Sequence, residues 1–401
     1  MKNILVLVLL FTFGITSAQF TLSDEATISL LTIGPGAELN DSFGHTGIRI
    51  NDPARGLDIV YNYGVYDFDT PNFLLKFARG KLLYKIGRNK YNDFYQNYKY
   101  QNRQITEQVL DFTPEQTQST LDFLENNFKP ENRYYLYDFF YDNCATRPVD
   151  ASYKILGDDL KLTYDHQPDG FTHRDLIHQF VDWNSWGSLG IDIALGSVID
   201  RKAAPPEYLF LPEYVKGAFA KAKLENSTST RPLVLRTNEL YTPNTPLDRS
   251  TNFLLSPLLI LGLLAILLMY KTARDYKLRK GISVTDLTIL FITGCIGIVV
   301  LLLWFATDHT ATKWNYNLLW AFPFHIFAAF VIGKKDPPRW IYPYMKLALI
   351  MMVLLAFHWI VGVQRYAYAL LPLLVAIGLR YAFILNRLKL IRDSTTPALE
   401  E

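Results

Sequence analysis

The chain has 401 residues, half of them apolar and 19% charged, with a formal net charge of +2. That length exceeds one ordinary domain, and the near-neutral balance excludes the electrostatic signature of a nucleic-acid binder or of a strongly acidic partner. Charged residues crowd into the N-terminal two-thirds and into short gaps between later apolar runs, as expected of a soluble domain joined to a membrane domain.

In chain order, residues 1–18 read as a secretory signal peptide. Lys2 is the basic start, the apolar run 4–13 is too short to span a bilayer, and Thr16-Ser17-Ala18 precede Gln19. No cysteine follows the cleavage region, so ordinary cleavage after Ala18 is favoured over lipoprotein processing; the alternative is an uncleaved signal anchor. Residues 20–225 mix strand-like runs of Tyr, Phe, Ile and Val with helix-like stretches, which predicts an exported α+β domain.

Within that domain, strands at 46–50 and 59–66 flank the turn-rich Asn51-Asp52-Pro53-Ala54-Arg55-Gly56, the pattern of a hairpin with a long loop. Thr113-Pro114-Glu115 reads as a capped helix start, with Leu121, Phe123, Leu124 and Phe128 as its apolar positions. Residues 226–252 turn to Ser, Thr, Asn and Pro and read as a linker or a loosely attached strand segment.

Five apolar segments follow, at 253–270, 284–306, 318–332, 345–362 and 366–385, the third of them short. They predict an all-α membrane domain over 253–385 and a tail from 386 to 401. Three basic groups, Lys271 to Lys280, Lys334 to Arg339 and Arg387 to Arg392, fall on one side if all five segments cross. The positive-inside rule then puts the C-terminus in the cytoplasm of a bacterial inner-membrane protein and the N-terminal domain in the periplasm. One helix suffices for an anchor; five suggest that the membrane part shapes a lipid or peptide site.

There are two cysteines, Cys144 in the exported domain and Cys295 inside the second apolar segment, and the topology argues against their pairing. A spare thiol in an oxidising compartment is a liability, which favours Cys144 as reactive over a buried inert cysteine. It lies in Tyr141-Asp142-Asn143-Cys144-Ala145-Thr146-Arg147-Pro148, where Asn143 can cap a helix whose first turn would hold Cys144. Free backbone amides and the helix dipole there would favour the thiolate and could donate to an oxyanion.

Such a nucleophile needs a base held by a third polar group. His45, in Ser42-Phe43-Gly44-His45-Thr46-Gly47, sits at the mouth of a strand between two glycines, and Asn62 on the paired strand can face the same side and orient the imidazole. Tyr61 and Tyr63 then point the other way. His166, His173 and His178 lack metal spacing, so neither zinc nor any other cofactor is expected.

The order of His on a first strand, a polar residue on the next and Cys at a helix start resembles the circularly permuted papain-like NlpC/P60 thiol enzymes and the lecithin:retinol acyltransferase-like proteins related to them. A resemblance over nearly the whole chain is carried by Phe43-Gly44-His45-Thr46-Gly47, Asp142-Asn143-Cys144-Ala145-Thr146-Arg147 and Asn62-Tyr63-Gly64. It extends to Thr307-Asp308-His309 and Asn315-Tyr316-Asn317-Leu318-Leu319-Trp320 in the membrane block. In these segments the chain is similar to the Lnb-type lipoprotein N-acyltransferases. The resemblance implies a Cys144/His45/Asn62 catalytic set moving a fatty acyl chain from a phospholipid donor, through a thioester, to the α-amine of a diacylglyceryl-cysteine lipoprotein.

Asn143, Arg147 and Tyr63 near the thiol, and His309, Asn315 and Asn317 in a polar loop expected on the same side of the membrane, are candidate substrate contacts. An ordinary interfacial loop with a Trp anchor is the alternative for that loop. Two rival functions remain at this stage: a thiol peptidase or amidase acting on cell-wall peptides, and a non-enzymatic envelope scaffold. Nothing in the sequence sets the oligomeric state.

Overall fold

A computed structural model of the chain describes residues 20–248 and 252–395. The signal-peptide reading of 1–18 lies outside the described residues.

The N-terminal domain is built on a seven-stranded sheet in the order β10-β5-β1-β2-β3-β4-β6, with every neighbouring pair antiparallel. In chain order these strands are β1 (Thr27–Ile33), β2 (His45–Asp52), β3 (Leu57–Val65), β4 (Leu83–Lys90), β5 (Ile105–Leu110), β6 (Tyr134–Leu136) and β10 (Val234–Tyr241). β1 lies between two strands and is covered on both faces, so its run Thr-Ile-Ser-Leu-Leu-Thr-Ile is buried almost throughout and does not alternate. Short strands β7 (Leu160–Lys161), β8 (Lys223–Glu225) and β9 (Thr230–Pro232) form a second, three-stranded sheet.

The expected hairpin is present as β2 and β3. Asp52 caps the intervening turn Pro53–Arg55, and Gly56, at φ +64°, closes it. The segment read as a linker is largely structured: β10 pairs with β5 and completes one edge of the main sheet. Its Ser, Thr, Asn and Pro content and few periodic apolar residues give it the look of a loose segment, and three consecutive residues of β10, Leu235 to Thr237, are exposed.

Helix α1 (Phe73–Ala78) lies between β3 and β4, and α2 (Tyr91–Tyr100) covers one face of the sheet through Phe94. On the other face pack α3 (Pro114–Phe128), α4 (Thr146–Leu156) and α7 (Pro212–Lys221), through Leu121, Leu124, Val149 and Phe219. α3 begins as expected, with Thr113 and Gln116 forming a reciprocal capping box and Pro114 in the first turn. Two shorter helices, α5 (His173–His178) and α6 (Trp186–Ala194), belong to a separate cluster between this domain and the helical block.

Among the described residues four helices are long and apolar enough to cross a membrane: α8 (Pro257–Lys277), α9 (Val284–Phe305), α11 (Ile341–Ile360) and α12, which runs Leu371–Thr395 and makes helical most of the stretch read as a tail. The third expected crossing is not a fifth such helix. It contains a 3-10 turn at Tyr316–Leu319 and then α10 (His325–Val331), whose seven residues reach only about 10 Å against about 30 Å of hydrocarbon. Pro323 interrupts the helix, since it lacks an amide and disfavours helical backbone before it.

The segment still descends alongside α9. A side chain added at Gly297 would strike Ala321, one at Gly294 would strike His325 and Ile326, and Gly333 faces Leu287, a steady antiparallel progression. Two small residues on α9 therefore admit the broken chain at backbone distance. Away from the N-terminal domain, Arg380 of α12 joins Asp275 of α8 to Asp286 of α9, and the Arg392 guanidinium stacks on Tyr342 at the start of α11. The three basic groups consequently gather at that one end of the block.

Candidate thiol site

The loop before α4 is organised by Asn143. Its Oδ1 accepts from the amides of Ala145 and Thr146, at 2.7 and 2.9 Å, and its Nδ2 donates to the carbonyls of Phe139 and Phe210, at 2.7 and 2.8 Å. Asn143 thus ties down the turn ahead of the helix, while the N-cap position itself falls to Ala145, which makes no side-chain capping bond. The regular helix starts only at Thr146, so Cys144 lies in the turn ahead of it and not in its first turn. Because every polar atom of the Asn143 side chain is engaged and the residue is buried, it is a frame for the thiol and not a substrate contact.

Cys144 docks against the open end of the β2–β3 hairpin. Paired residues run from Asp52↔Leu57 to Ile48↔Tyr61, and beyond Ile48 the two strands separate. The Thr46 hydroxyl donates to the Cys144 carbonyl in that gap. The backbone amides of Thr46 and of Cys144 itself favour the ionised sulfur. On the opposite strand Gly64, at φ +86° within an irregularity of the β3–β4 pairing, brings its backbone so close that an added Cβ would lie 3.4 Å from Cys144 Cβ.

His45 is the residue before Thr46 and opens β2. Its Nε2 lies 3.4 Å from Asn62 Oδ1, the long end of a hydrogen bond, and Asn62 Nδ2 donates to Asn89 Oδ1 at 3.0 Å. With its amide NH₂ given to Asn89, Asn62 presents its oxygen to the ring. His45 then carries its proton on Nε2 and keeps Nδ1 as the basic nitrogen. The structure thereby brings together the segments bearing the three residues singled out as a catalytic set, and adds Asn89 of β4 as the group that fixes Asn62.

Electrostatics differ from the expectation of a helix-stabilised thiolate. Burial pushes the Cys144 thiol up to about 11, against the pull of the two amides and of Arg103. Burial also brings His45 down to about 4, with the like charge of Arg103 adding to it and the bond to Asn62 opposing it. At neutral pH the resting site therefore holds a neutral thiol and a neutral imidazole.

Arg103 has no local sequence signal. It is buried; Nε donates to the Gly34 carbonyl at 2.9 Å, Nη1 lies 3.6 Å from Asp41, the guanidinium covers the Tyr98 ring at 5.0 Å, and Nη2 has no hydrogen-bond partner. Only its position in the fold, at the end of the turn after α2, sets its charge beside the site.

The remaining candidates take other positions. Tyr63 points to the opposite face, as strand alternation requires, and donates to Asn127 Oδ1 at 2.7 Å; Tyr61 likewise turns to Glu125. Arg147 pairs with Asp142 and stacks on Tyr135 at 4.1 Å. Asn315 and Asn317 are buried in the joint between the two regions, where their amide nitrogens donate to the Asp192, Ile193 and Ala194 carbonyls. Those are the C-terminal carbonyls of α6, so the two asparagines cap a helix, and their amide nitrogens are engaged there. His309 bonds the Phe77 carbonyl at 3.0 Å and keeps an exposed face.

The thiol segment reaches the helical block directly. Asp138, in the run leading to Cys144, accepts from Thr310 at 2.8 Å, and the amide of Asp308 donates to Arg79 at 2.9 Å. Further joints are the Gly196 amide to Ala311, the Ser197 amide to Trp314, and Arg365 with Asp175.

Two family models match the chain: the Lnb N-terminal periplasmic domain over residues 18–179 and the Lnb transmembrane domain over residues 248–390. No curated protein and no solved structure matches it. The first match contains His45, Asn62, Arg103 and Cys144, and the second contains the loop whose Thr310 bonds Asp138, six residues before Cys144. With both halves accounted for, the chain belongs to the Lnb family, with a periplasmic N-terminal domain and a transmembrane domain.

Proposed function

We propose that the protein is a lipoprotein N-acyltransferase that works through a thioester on Cys144. The observation that carries this reading is the position of the Cys144 segment. It touches both the strand bearing His45, through Thr46, and the membrane block, through Asp138 and Thr310. A cell-wall peptidase has no use for that second contact, and a scaffold has none for the first.

His45 Nδ1 takes the Cys144 proton as Sγ attacks the ester carbonyl of a phospholipid acyl chain. The amides of Thr46 and Cys144 are placed to donate to the oxyanion of the tetrahedral intermediate. That intermediate collapses by breaking the C–O ester bond, and the departing lysophospholipid oxygen receives the proton from His45. The α-amine of a diacylglyceryl-cysteine lipoprotein then attacks the thioester; His45 takes the amine proton and returns it to Sγ as the C–S bond breaks. Because thiol and imidazole are both neutral at rest, proton transfer accompanies attack and does not precede it.

We read the C-terminus as cytoplasmic, since the basic groups gather at the end of the block remote from the periplasmic domain. Mass spectrometry of lipoprotein N-termini from cells carrying the wild-type or the Cys144→Ser chain tests the function. An amide-linked chain present with the former and absent with the latter is the expected result. Unchanged N-termini together with altered cell-wall peptides would support the peptidase, and no change in either would support a scaffold.

A further inference from the structure

Between the periplasmic domain and the helical block lies a cavity of about 650 Å³. Its walls come from both regions: Phe43 and Phe139 from the domain core, Ile191 and Leu195 from α6 and its C-terminus, Leu303 near the end of α9, and Phe77 from α1. The polar residues of the rim are committed to one another. Thr310 donates to Asp138, His309 bonds the Phe77 carbonyl, and Asp308 sits 3.7 Å from Lys81. What remains facing the space is mostly hydrocarbon and aromatic ring, with Tyr84 and Tyr137 among the lining residues.

The cavity has two ends of different character. At the inner end stand Phe43, two residues before His45, and Tyr137, whose ring lies with Cys144 Cβ within 4 Å of one point beside Gly64. The flanks of both thiol-site segments therefore form the inner wall. At the outer end is α1, and here the chain breaks the usual rule for a soluble surface. Phe68, Leu74, Leu75 and Phe77 are 71%, 78%, 58% and 52% exposed, all within one loop between β3 and β4.

The level of that loop is fixed by its contacts. Gly80, at φ +67°, packs against the backbone of Asp308 and His309 just beyond the end of α9, and Arg79 accepts the Asp308 amide. Nearby, Trp186 donates to the Leu255 carbonyl at 2.9 Å just before α8, beside exposed Phe253 and Leu254. The apolar loop thus sits where membrane helices leave the bilayer, a depth at which exposed Phe and Leu meet acyl chains and Trp meets the interface.

We infer that the cavity is the seat of one phospholipid acyl chain, and that the 66–82 loop dips into the periplasmic leaflet as the side opening through which the chain passes. A chain lying from α1 to Tyr137 brings its ester end to the sulfur without exposing methylenes to water, and each buried methylene contributes about 0.8 kcal/mol to holding it. This inference rests on the acyl-transfer reading only for the identity of the occupant; the cavity and the loop stand apart from it.

The test uses the full-length Cys144→Ser chain, so that occupancy is read without turnover. It is reconstituted in phosphatidylcholine nanodiscs doped with a phosphatidylcholine carrying a diazirine in one acyl chain, irradiated, digested, and mapped for adducts. Adducts are expected on peptides containing Phe77 to Leu82 and Ile191 to Leu195, in addition to the bilayer-facing helices. Gly190 lines the cavity, and nothing lies within 4 Å of a Cβ added there, so Gly190→Trp can project into the space without a clash at its first carbon. It should cut the Ile191 to Leu195 adducts at least fivefold and leave the helix adducts unchanged.

The pair Leu74→Glu and Leu75→Glu should slow cavity labelling severalfold with the same helix controls. Labelling confined to the bilayer-facing helices would overturn the cavity assignment, as would cavity labelling indifferent to Gly190→Trp. Cavity labelling indifferent to the glutamates would overturn the side opening. Failure of lipoprotein acylation in the wild-type chain, with cavity adducts present, would count against the proposed reaction and leave this inference standing.

Discussion

Two of the buried arginines, Arg380 in the helical block and Arg103 in the periplasmic domain, show how differently this molecule treats a charge; a third, Arg174, is paired like Arg380, with Asp192 and Asp200. Arg380, in the helical block, is fully enclosed and every nitrogen is used: Nε and Nη2 on Asp286, Nη1 on Asp275, and Nη2 also on the Ser283 hydroxyl at 3.2 Å. Arg103, in the periplasmic domain, has one carboxylate at a distance, the Gly34 carbonyl on Nε, the Gln101 side-chain oxygen on Nη1 at 3.2 Å, and Nη2 with no partner. In the first, charge is neutralised locally to join α8, α9 and α12. In the second, part of the field is left to act on its neighbours, and those neighbours are Cys144 and His45.

If that contrast is right, substitutions at the two places should fail in opposite ways. The largest effect belongs to the thiol pair: Cys144→Ser should lower acyl transfer by at least ~10³-fold, and His45→Gln by ~10²–10⁴-fold, with little change in melting temperature. Activity and thermal unfolding measured on the same preparations check this. Arg380→Ala should do the reverse. It leaves the buried Asp286 carboxylate without a cation and Asp275 with Lys271 only, a loss of about 3–5 kcal/mol, while the activity per folded molecule holds; normal stability in that variant would dissolve the comparison.

Smaller effects sharpen it. In Arg103→Gln the like charge that depresses His45 is gone, so the imidazole becomes easier to protonate. Activity is lost as His45 takes a proton. The acid limb of the rate profile should therefore move upward from about 4, and a limb that stays in place would remove Arg103 from the site. Asn62→Ala should cost about tenfold in turnover by releasing the ring, and Asn89→Ala somewhat less, since Asn89 acts through Asn62. Steady-state rates of the two variants give the order.

The resting state has its own probe. With the thiol held up to about 11, its alkylation by iodoacetamide in the absence of lipid should climb with pH across the neutral range. A flat, fast rate between about pH 5 and 8 would indicate a preformed thiolate–imidazolium pair instead.

Much of this was legible in the residues because it is local. Asp52 to Gly56 spells a turn, Thr113-Pro114 spells a helix start, Gly44-His45-Thr46 and Asn143-Cys144 carry their chemistry on their own flanks, and alternation alone turns Tyr61 and Tyr63 away from Asn62. What was not legible depends on partners distant in sequence. Arg103 precedes β5 and Tyr137 follows β6, strands separated by four others in the sheet, and both act on Cys144 only through the fold.

Asn315 and Asn317 looked like ligands because polar side chains near a membrane are costly. The reason they are tolerated, three carbonyls at the end of α6, lies more than a hundred residues away. The third crossing misled for a related reason: its apolar composition is that of a span, but Pro323 and the docking of residues 315–317 leave only α10 as regular α-helix.

The most direct test of the account is to look for the acyl-enzyme. Wild-type protein in a bilayer is given a phospholipid with an isotopically marked chain and no lipoprotein acceptor, quenched in acid, and examined by peptide mass spectrometry. The account expects the mass of one marked chain on the peptide containing Cys144, removable by neutral hydroxylamine and by addition of a diacylated lipoprotein. Lipoprotein N-acylation that continues in the Cys144→Ala chain, or proceeds in the wild-type chain with Cys144 never modified, would contradict it.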